Sequence, residues 1–200
     1  MFNVKPNFVV GIGGSAGGLK AYTSLLEALP SNTGMAFVFI AHLSPTTDSL
    51  LAHLLSRSTN MPVIQASEGM PVQANHIYVI APNTNLLMEN FTFKVVSPRT
   101  LNKGRHNQVD YFLGSLAENM GLRAIGVILS GGDGDGTEGC KLIKVNGGKT
   151  FAQDLSADVD SMPLSAQASG CVDFVLPPDK ISKELQRLVS VKDKGRDAGH

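Results

Sequence analysis

Phe8-Val9-Val10-Gly11-Ile12-Gly13-Gly14-Ser15-Ala16-Gly17-Gly18 opens on a short apolar run, enters a glycine cluster and leads into an apolar-periodic segment over 19–29. The run reads as a buried strand, the glycines as a tight turn and the periodic segment as a helix. Met35-Ala36-Phe37-Val38-Phe39-Ile40-Ala41 starts a second unit and is apolar at every residue, as a parallel strand covered on both faces should be. It stops at His42. The segment 46–57 follows, with Leu50, Leu51, Leu54 and Leu55 on one side and Asp48 in its first turn, which predicts an amphipathic helix. A third continuous strand, Ala124-Ile125-Gly126-Val127-Ile128-Leu129-Ser130, runs into Gly131-Gly132-Asp133-Gly134-Asp135-Gly136.

Between 62 and 96 the runs are short and split by Gly, Pro and Asn, without a helical period, and part of this stretch reads as a hairpin with Glu89-Asn90 near one tip. Helices are predicted over 109–120, 137–146, after Pro163 and over 179–189, with strands over 150–153 and 172–176. The residues from 191 to 200 read as a frayed tail or a linker. Alternating strands and helices predict an α/β fold: a doubly wound, mostly parallel sheet flanked by helices, with an inserted β-hairpin.

Composition narrows the function. The chain has 200 residues, 42% of them hydrophobic, enough for one sizeable core. Seventeen basic residues balance seventeen acidic ones, which removes the overall charge of a nucleic-acid binder or a polybasic membrane anchor. Apolar stretches fall short of the roughly 18 residues of a membrane span. No secretion signal is legible at 1–8, and Cys140 and Cys171 stand apart from any C-x-x-C pairing, so the expected setting is a reducing cytoplasm.

In an open α/β sheet, ligands bind beyond the carboxyl ends of the strands. The first strand delivers Gly13-Gly14-Ser15-Ala16-Gly17, which fits G-x-S-x-G, a sharp strand-to-helix turn that exposes a serine hydroxyl. The second delivers His42, and the third delivers Asp133 and Asp135. Serine, histidine and carboxylate are what an acyl-transfer nucleophile needs: a base for the hydroxyl proton and an acid to hold that base in one tautomer. The same glycines also satisfy the dinucleotide pattern G-x-G-x-x-A, but the second strand ends in Ala41-His42-Leu43-Ser44 where that reading needs an acid for a ribose. Spacing leaves open which of Asp133 and Asp135 serves the histidine. The Asp-Gly-Asp-Gly run does not continue into a calcium loop, and no metal is expected there.

The chain order Ser, His, Asp is not that of ordinary α/β-hydrolases. The glycine cluster at 11–18, Ile40-Ala41-His42-Leu43 and the run 126–136 resemble the catalytic domain of the chemotaxis protein-glutamate methylesterases, the CheB family. Asn75-His76-Ile77-Tyr78-Val79-Ile80-Ala81-Pro82, Val109-Asp110-Tyr111-Phe112, Phe151-Ala152-Gln153 and Ser161-Met162-Pro163 extend the resemblance over 8–189. It implies a serine hydrolase that removes methyl groups from glutamate γ-methyl esters on chemoreceptors, and one that also deamidates glutamines. By motif, Ser15 would be the nucleophile, His42 the general base and Asp135 the orienting carboxylate. The backbone N–H groups of Ala16 and Gly132 would hold the oxyanion, and Arg105 and Met162 would contact substrate. No cofactor is implied. The partners implied are a methylated chemoreceptor or other sensory protein, and a receiver or methyltransferase domain in cis or trans. Gly34-Met35-Ala36-Phe37 and Asp173-Phe174-Val175-Leu176-Pro177-Pro178 look closest to methylesterase domains fused to a methyltransferase.

On this reading 1–190 form the catalytic domain and 191–200 a tail or linker. The chain departs from the family pattern at Gly132, where methionine or threonine is usual, and at His106-Asn107-Gln108, where Arg-Pro-Ser is common. The rival reading is a catalytically silent module with the same fold that binds a sensory partner.

Overall fold

The run that opens the chain is buried at all seven positions of β1 (Phe8–Gly14), and so is β2 (Met35–Ala41), because both lie inside a sheet covered on its two faces. In the computed structural model, which describes residues 4–42, 49–97 and 106–197, the other strands are β3 (Val63–Gln65), β4 (His76–Val79), β5 (Asn85–Glu89), β6 (Thr92–Val96), β7 (Ala124–Ile128), β8 (Lys149–Gln153) and β9 (Phe174–Leu176). The helices are α1 (Gly18–Glu27), α2 (Ser49–Ser56), α3 (Gln108–Met120), α4 (Thr137–Val145), α5 (Ser161–Ala168) and α6 (Pro178–Asp197). The sheet runs β3-β4-β2-β1-β7-β8-β9, and every pair in it is parallel. The chain leaves β1 toward β2 on one side and returns through β7 on the other, so the topological switch point lies between β1 and β7, at the end that carries Ser15.

Side-chain alternation divides the core in two. Phe8, Val10 and Ile12 meet Tyr22, Leu25 and Leu26 of α1 and Ile181 and Leu185 of α6, while Val9 faces the side held by Val109, Phe112, Leu113 and Leu116 of α3. On that second face β1 carries glycine at 11 and 13, and these glycines let α3 come down onto the strand backbone. A Cβ on Gly11 would stand 2.5 Å from Leu113 Cδ2, and one on Gly13 would stand 2.5 Å from Val109 Cγ1. The close approach sets the N-terminus of α3 over the carboxyl ends of β1 and β7.

Differences from the sequence expectations have local causes. Only β5 and β6 form the inserted hairpin; β3 and β4 join the parallel sheet at its edge. The hairpin turns through Asn90 and Phe91, at φ 50° and 61°, the positive values a two-residue turn of this hand requires. Phe91 holds this unfavourable conformation with its ring against the Lys5 and Arg123 cations, at 4.8 and 5.5 Å from its centroid. Helix α5 begins at Ser161, ahead of Pro163, which a first helical turn accepts because its N–H would have no partner there. Helix α6 continues to Asp197 through polar sequence that carries no apolar period, so the periodic signal stops well before the helix does. Among the described residues no helix is long and apolar enough to cross a membrane.

The contact between α3 and β1 makes a direct prediction. Gly13→Ala should push Val109 aside and cost about 1–3 kcal/mol, seen in a thermal melt as a loss of roughly 2–4 °C per kcal/mol. Gly132→Ala, whose Cβ would meet nothing closer than 4.0 Å, should leave the melting temperature where it is.

Candidate active site

Ser15 and His42 each stand one residue beyond a strand, and the strands are neighbours in register, Gly14 opposite Ala41. The His42 N–H donates to the Gly14 carbonyl at 3.4 Å, so the two residues that follow β1 and β2 share one rim. Ser15 opens a turn whose last residue, Gly17, has φ 73°, and a Cβ there would sit 2.6 Å from the Ser130 hydroxyl. Glycine at 17 is therefore required twice, by the left-handed backbone and by the crowding. From the other side, Gly131 brings the loop after β7 against Ser15: a Cβ on Gly131 would lie 3.2 Å from Ser15 Cβ and 2.0 Å from Met162 Sδ.

Asp135 lies in the loop between β7 and α4, and its side chain is fully buried. Its Oδ2 lies 2.7 Å from His42 Nε2 and accepts the Val109 N–H at 3.0 Å, while its Oδ1 accepts the Asp110 N–H at 3.0 Å. It thereby caps α3, whose own N-cap residue Asn107 makes no side-chain cap bond. The favourable dipole end of that helix and two of its free N–H groups compensate the buried charge. Asp133 stands at the other side of the ring, with Oδ2 3.5 Å from His42 Nδ1, and is partly exposed; its Oδ1 accepts the Asp135 N–H at 3.0 Å. The His42 side chain is only 4% exposed. His106, just ahead of α3, stacks on it with ring centroids 4.3 Å apart and planes 19° from parallel.

Asp110 returns the favour that α3 receives. Its Oδ1 accepts the Gly139 N–H at 2.7 Å, in the first turn of α4, so each helix of the pair is capped from the segment that leads into or begins the other. Burial pushes the Asp110 carboxyl up to about 6; the Gly139 hydrogen bond opposes the rise and the nearby Asp135 charge adds to it. His106, Asn107, Asp110, Asp133, Asp135 and Thr137 line a cleft of about 320 Å³ beside these groups.

The N–H groups of Ala16 and Gly132 carry no hydrogen bond among the described residues, one at the start of the turn after β1 and the other in the loop after β7. Two donors without protein partners on facing loops are what an anionic oxygen needs. Met162 is fully buried, under the Gly131 backbone, and its N–H donates to the Gly131 carbonyl at 3.0 Å. It offers no surface to a substrate, contrary to the sequence expectation, because the absence of a side chain at 131 lets the thioether pack directly against the loop. It shapes that loop from beneath. Arg105 lies outside the described residues. Cys140 and Cys171 are free and buried in the core, as packing residues are.

Sequence reading passed over Ser130 and Gln153. The Ser130 N–H donates to Gln153 Oε1 at 3.0 Å, and its hydroxyl donates to the Ala16 carbonyl at 2.8 Å while accepting the Val159 N–H at 3.0 Å. The Ser15 N–H in turn donates to the Ser130 carbonyl at 2.9 Å. One buried serine thus stitches the turn after β1 to the ends of β7 and β8. Only its position at the end of an apolar strand could have signalled this.

The family profile described as CheB methylesterase matches residues 10–185. A putative protein-glutamate methylesterase/protein-glutamine glutaminase of Leptospira interrogans is 35% identical over 179 residues, covering 88% of this chain and 92% of the relative. Protein-glutamate methylesterase/protein-glutamine glutaminase 1 of Pseudomonas fluorescens is 34% identical over 182 residues, covering 90% of this chain and 54% of the relative, so the chain spans about half of that protein. The crystal structure of the Thermotoga maritima CheB methylesterase catalytic domain superposes with a TM-score of 0.83 at 29% identity, covering 90% of this chain and 98% of that one.

The raised Asp110 carboxyl fixes the sign of a pH effect on stability. Between its ordinary value of 3.8 and about 6 the folded chain holds more protons than the unfolded chain, so stability falls as pH rises through that window. Asp110→Asn keeps an acceptor for the Gly139 N–H and removes the charge. Its melting temperature should exceed that of the parent by about 2–4 °C at pH 8, with the difference closing toward pH 4; melts at the two pH values check it.

Proposed function

The chain belongs to the CheB methylesterase family, and from that premise we propose that it is a serine hydrolase acting on glutamate γ-methyl esters of a methylated chemoreceptor, with Ser15 as nucleophile, His42 as base and Asp135 as the carboxylate that orients it. The observation that carries this reading is the 2.7 Å contact between His42 Nε2 and the buried Asp135 Oδ2, on the strand next to the one that delivers Ser15.

An Nε2–H donated to Asp135 fixes the imidazole tautomer and leaves the Nδ1 lone pair as the base. Ser15 Oγ attacks the ester carbonyl carbon and passes its proton to Nδ1. The carbonyl oxygen becomes an anion held by the Ala16 and Gly132 N–H groups, a role in which one donor is worth about 10²–10³ in rate. The imidazolium so formed lies between two carboxylates, Asp135 at Nε2 and Asp133 near Nδ1. Collapse of the intermediate breaks the C–O bond to the methoxy group, which takes the proton from His42 and leaves as methanol. A water deprotonated by His42 then attacks the glutamyl-serine ester, restoring Ser15 and releasing the free carboxylate. A glutamine side chain follows the same path with ammonia as the leaving group, which accounts for the paired activities in the relatives' names.

The test is methanol release from a methylated receptor fragment. Ser15→Ala should lower it by at least about 10⁴-fold with an unchanged melt, and unchanged release in that variant would sink the assignment. Asp135→Asn should cost about 10⁴-fold in kcat, and Asp133→Asn far less; the reverse order would exchange the roles of the two aspartates.

A further inference from the structure

We propose that His106 is a positioning residue for this reaction: it acts through His42, by stacking on the face of the imidazole and fixing the plane in which the base meets Ser15. The inference rests on the reading of His42 as the base.

The contact with Asp135 holds the His42 ring at one point, Nε2. A ring tethered at Cβ and at a single nitrogen can still tilt about the line through those two points, and tilting displaces Nδ1, the nitrogen that takes the proton on the proposed reading. Asp133 does not prevent this, because its carboxylate is partly exposed and stands at 3.5 Å, outside hydrogen-bond distance. The face of the ring is where the remaining freedom must be removed. His106 lies on that face, 4.3 Å between centroids and 19° from parallel, close enough to oppose a tilt in its direction.

His106 lies just ahead of a helix start that is held by the carboxylate that grips His42. Asp135 binds the N–H groups of Val109 and Asp110 at the start of α3, and His106 is the residue that enters this helix through Asn107. One anion therefore holds both an edge of the base and the start of the helix that follows His106. Among the described residues, the charged and titratable groups around the pair are Asp133 and Asp135 from the loop after β7, Asp110 from α3 and Glu138 from α4, all of them acids that line the cleft beside His106. The neighbour on the imidazole face is thus a flat ring among carboxylates, and flatness is the property that the substitutions must isolate.

His106→Ala should lower kcat by about 10- to 100-fold, the range expected when a reacting group loses its alignment, with KM close to the parent value. His106→Phe keeps a flat ring without the nitrogens and should restore most of kcat. Independently of turnover, the His42 ring protons should be shifted by the ring current of the neighbour in the NMR spectrum of the parent and of His106→Phe, and should lose that shift in His106→Ala. A Phe variant as slow as the Ala variant, a change in KM with kcat intact, or a His42 spectrum indifferent to residue 106 would each overturn the proposal. If the Ala variant does not fold, retained or lost kcat in His106→Phe decides alone. Loss of the ring-current signature refutes the stack, whereas methanol release indifferent to Ser15→Ala refutes the catalytic reading on which it rests, so the two failures are told apart.

Discussion

A carboxylate with no exposure to water must find donors, and Asp135 finds three: a ring nitrogen of His42 and two backbone N–H groups at the start of α3. These donors come from the end of β2 and from the helix that covers β1, while the acid comes from the loop after β7. Meeting one electrostatic demand therefore draws three distant parts of the chain to one point. Removing the anion would leave His42 Nε2 and the two N–H groups at the helix start without their carboxylate partner, which is why the site and the local fold cannot be separated here.

The second constraint is the bare backbone of β1. Glycine at 11 and 13 is a poor strand former, yet the strand lies at the centre of the sheet, held by β2 and β7 on its two edges. What the strand loses in propensity returns as proximity, since α3 can only bring Val109 and Asp110 to Asp135 if nothing stands between it and the strand. Ser130 performs the matching service on the turn that presents Ser15, tying it to the ends of β7 and β8 through buried hydrogen bonds.

The sheet was legible because strands buried on both faces carry no polar side chains, and β1, β2 and β7 read that way in 8–12, 35–41 and 124–129. The rim residues were legible because the ends of such strands are where an α/β fold places its chemistry. Spacing could not choose between Asp133 and Asp135; that choice came from the resemblance, and the structure sets Asp135 at Nε2 and Asp133 near Nδ1. Ser130, His106 and the buried setting of Met162 were illegible for a common reason: each owes its place to a partner far away in sequence, at Ala16, His42 and Gly131 respectively. The far end of α6 escaped for another reason, since a polar helix carries no hydrophobic period to read.

The pairing of Val9 with Ala36 on one side and with Ala124 on the other has a consequence for how the chain acquires its shape. The central strand precedes β7 by more than a hundred residues, so its second edge stays open until β7 has been synthesised. Through that interval an apolar segment with unsatisfied peptide groups waits for a neighbour that does not yet exist, and contacts of such long sequence separation close slowly. The nascent protein thus depends longest on protection from aggregation at the very strand that will later present its serine.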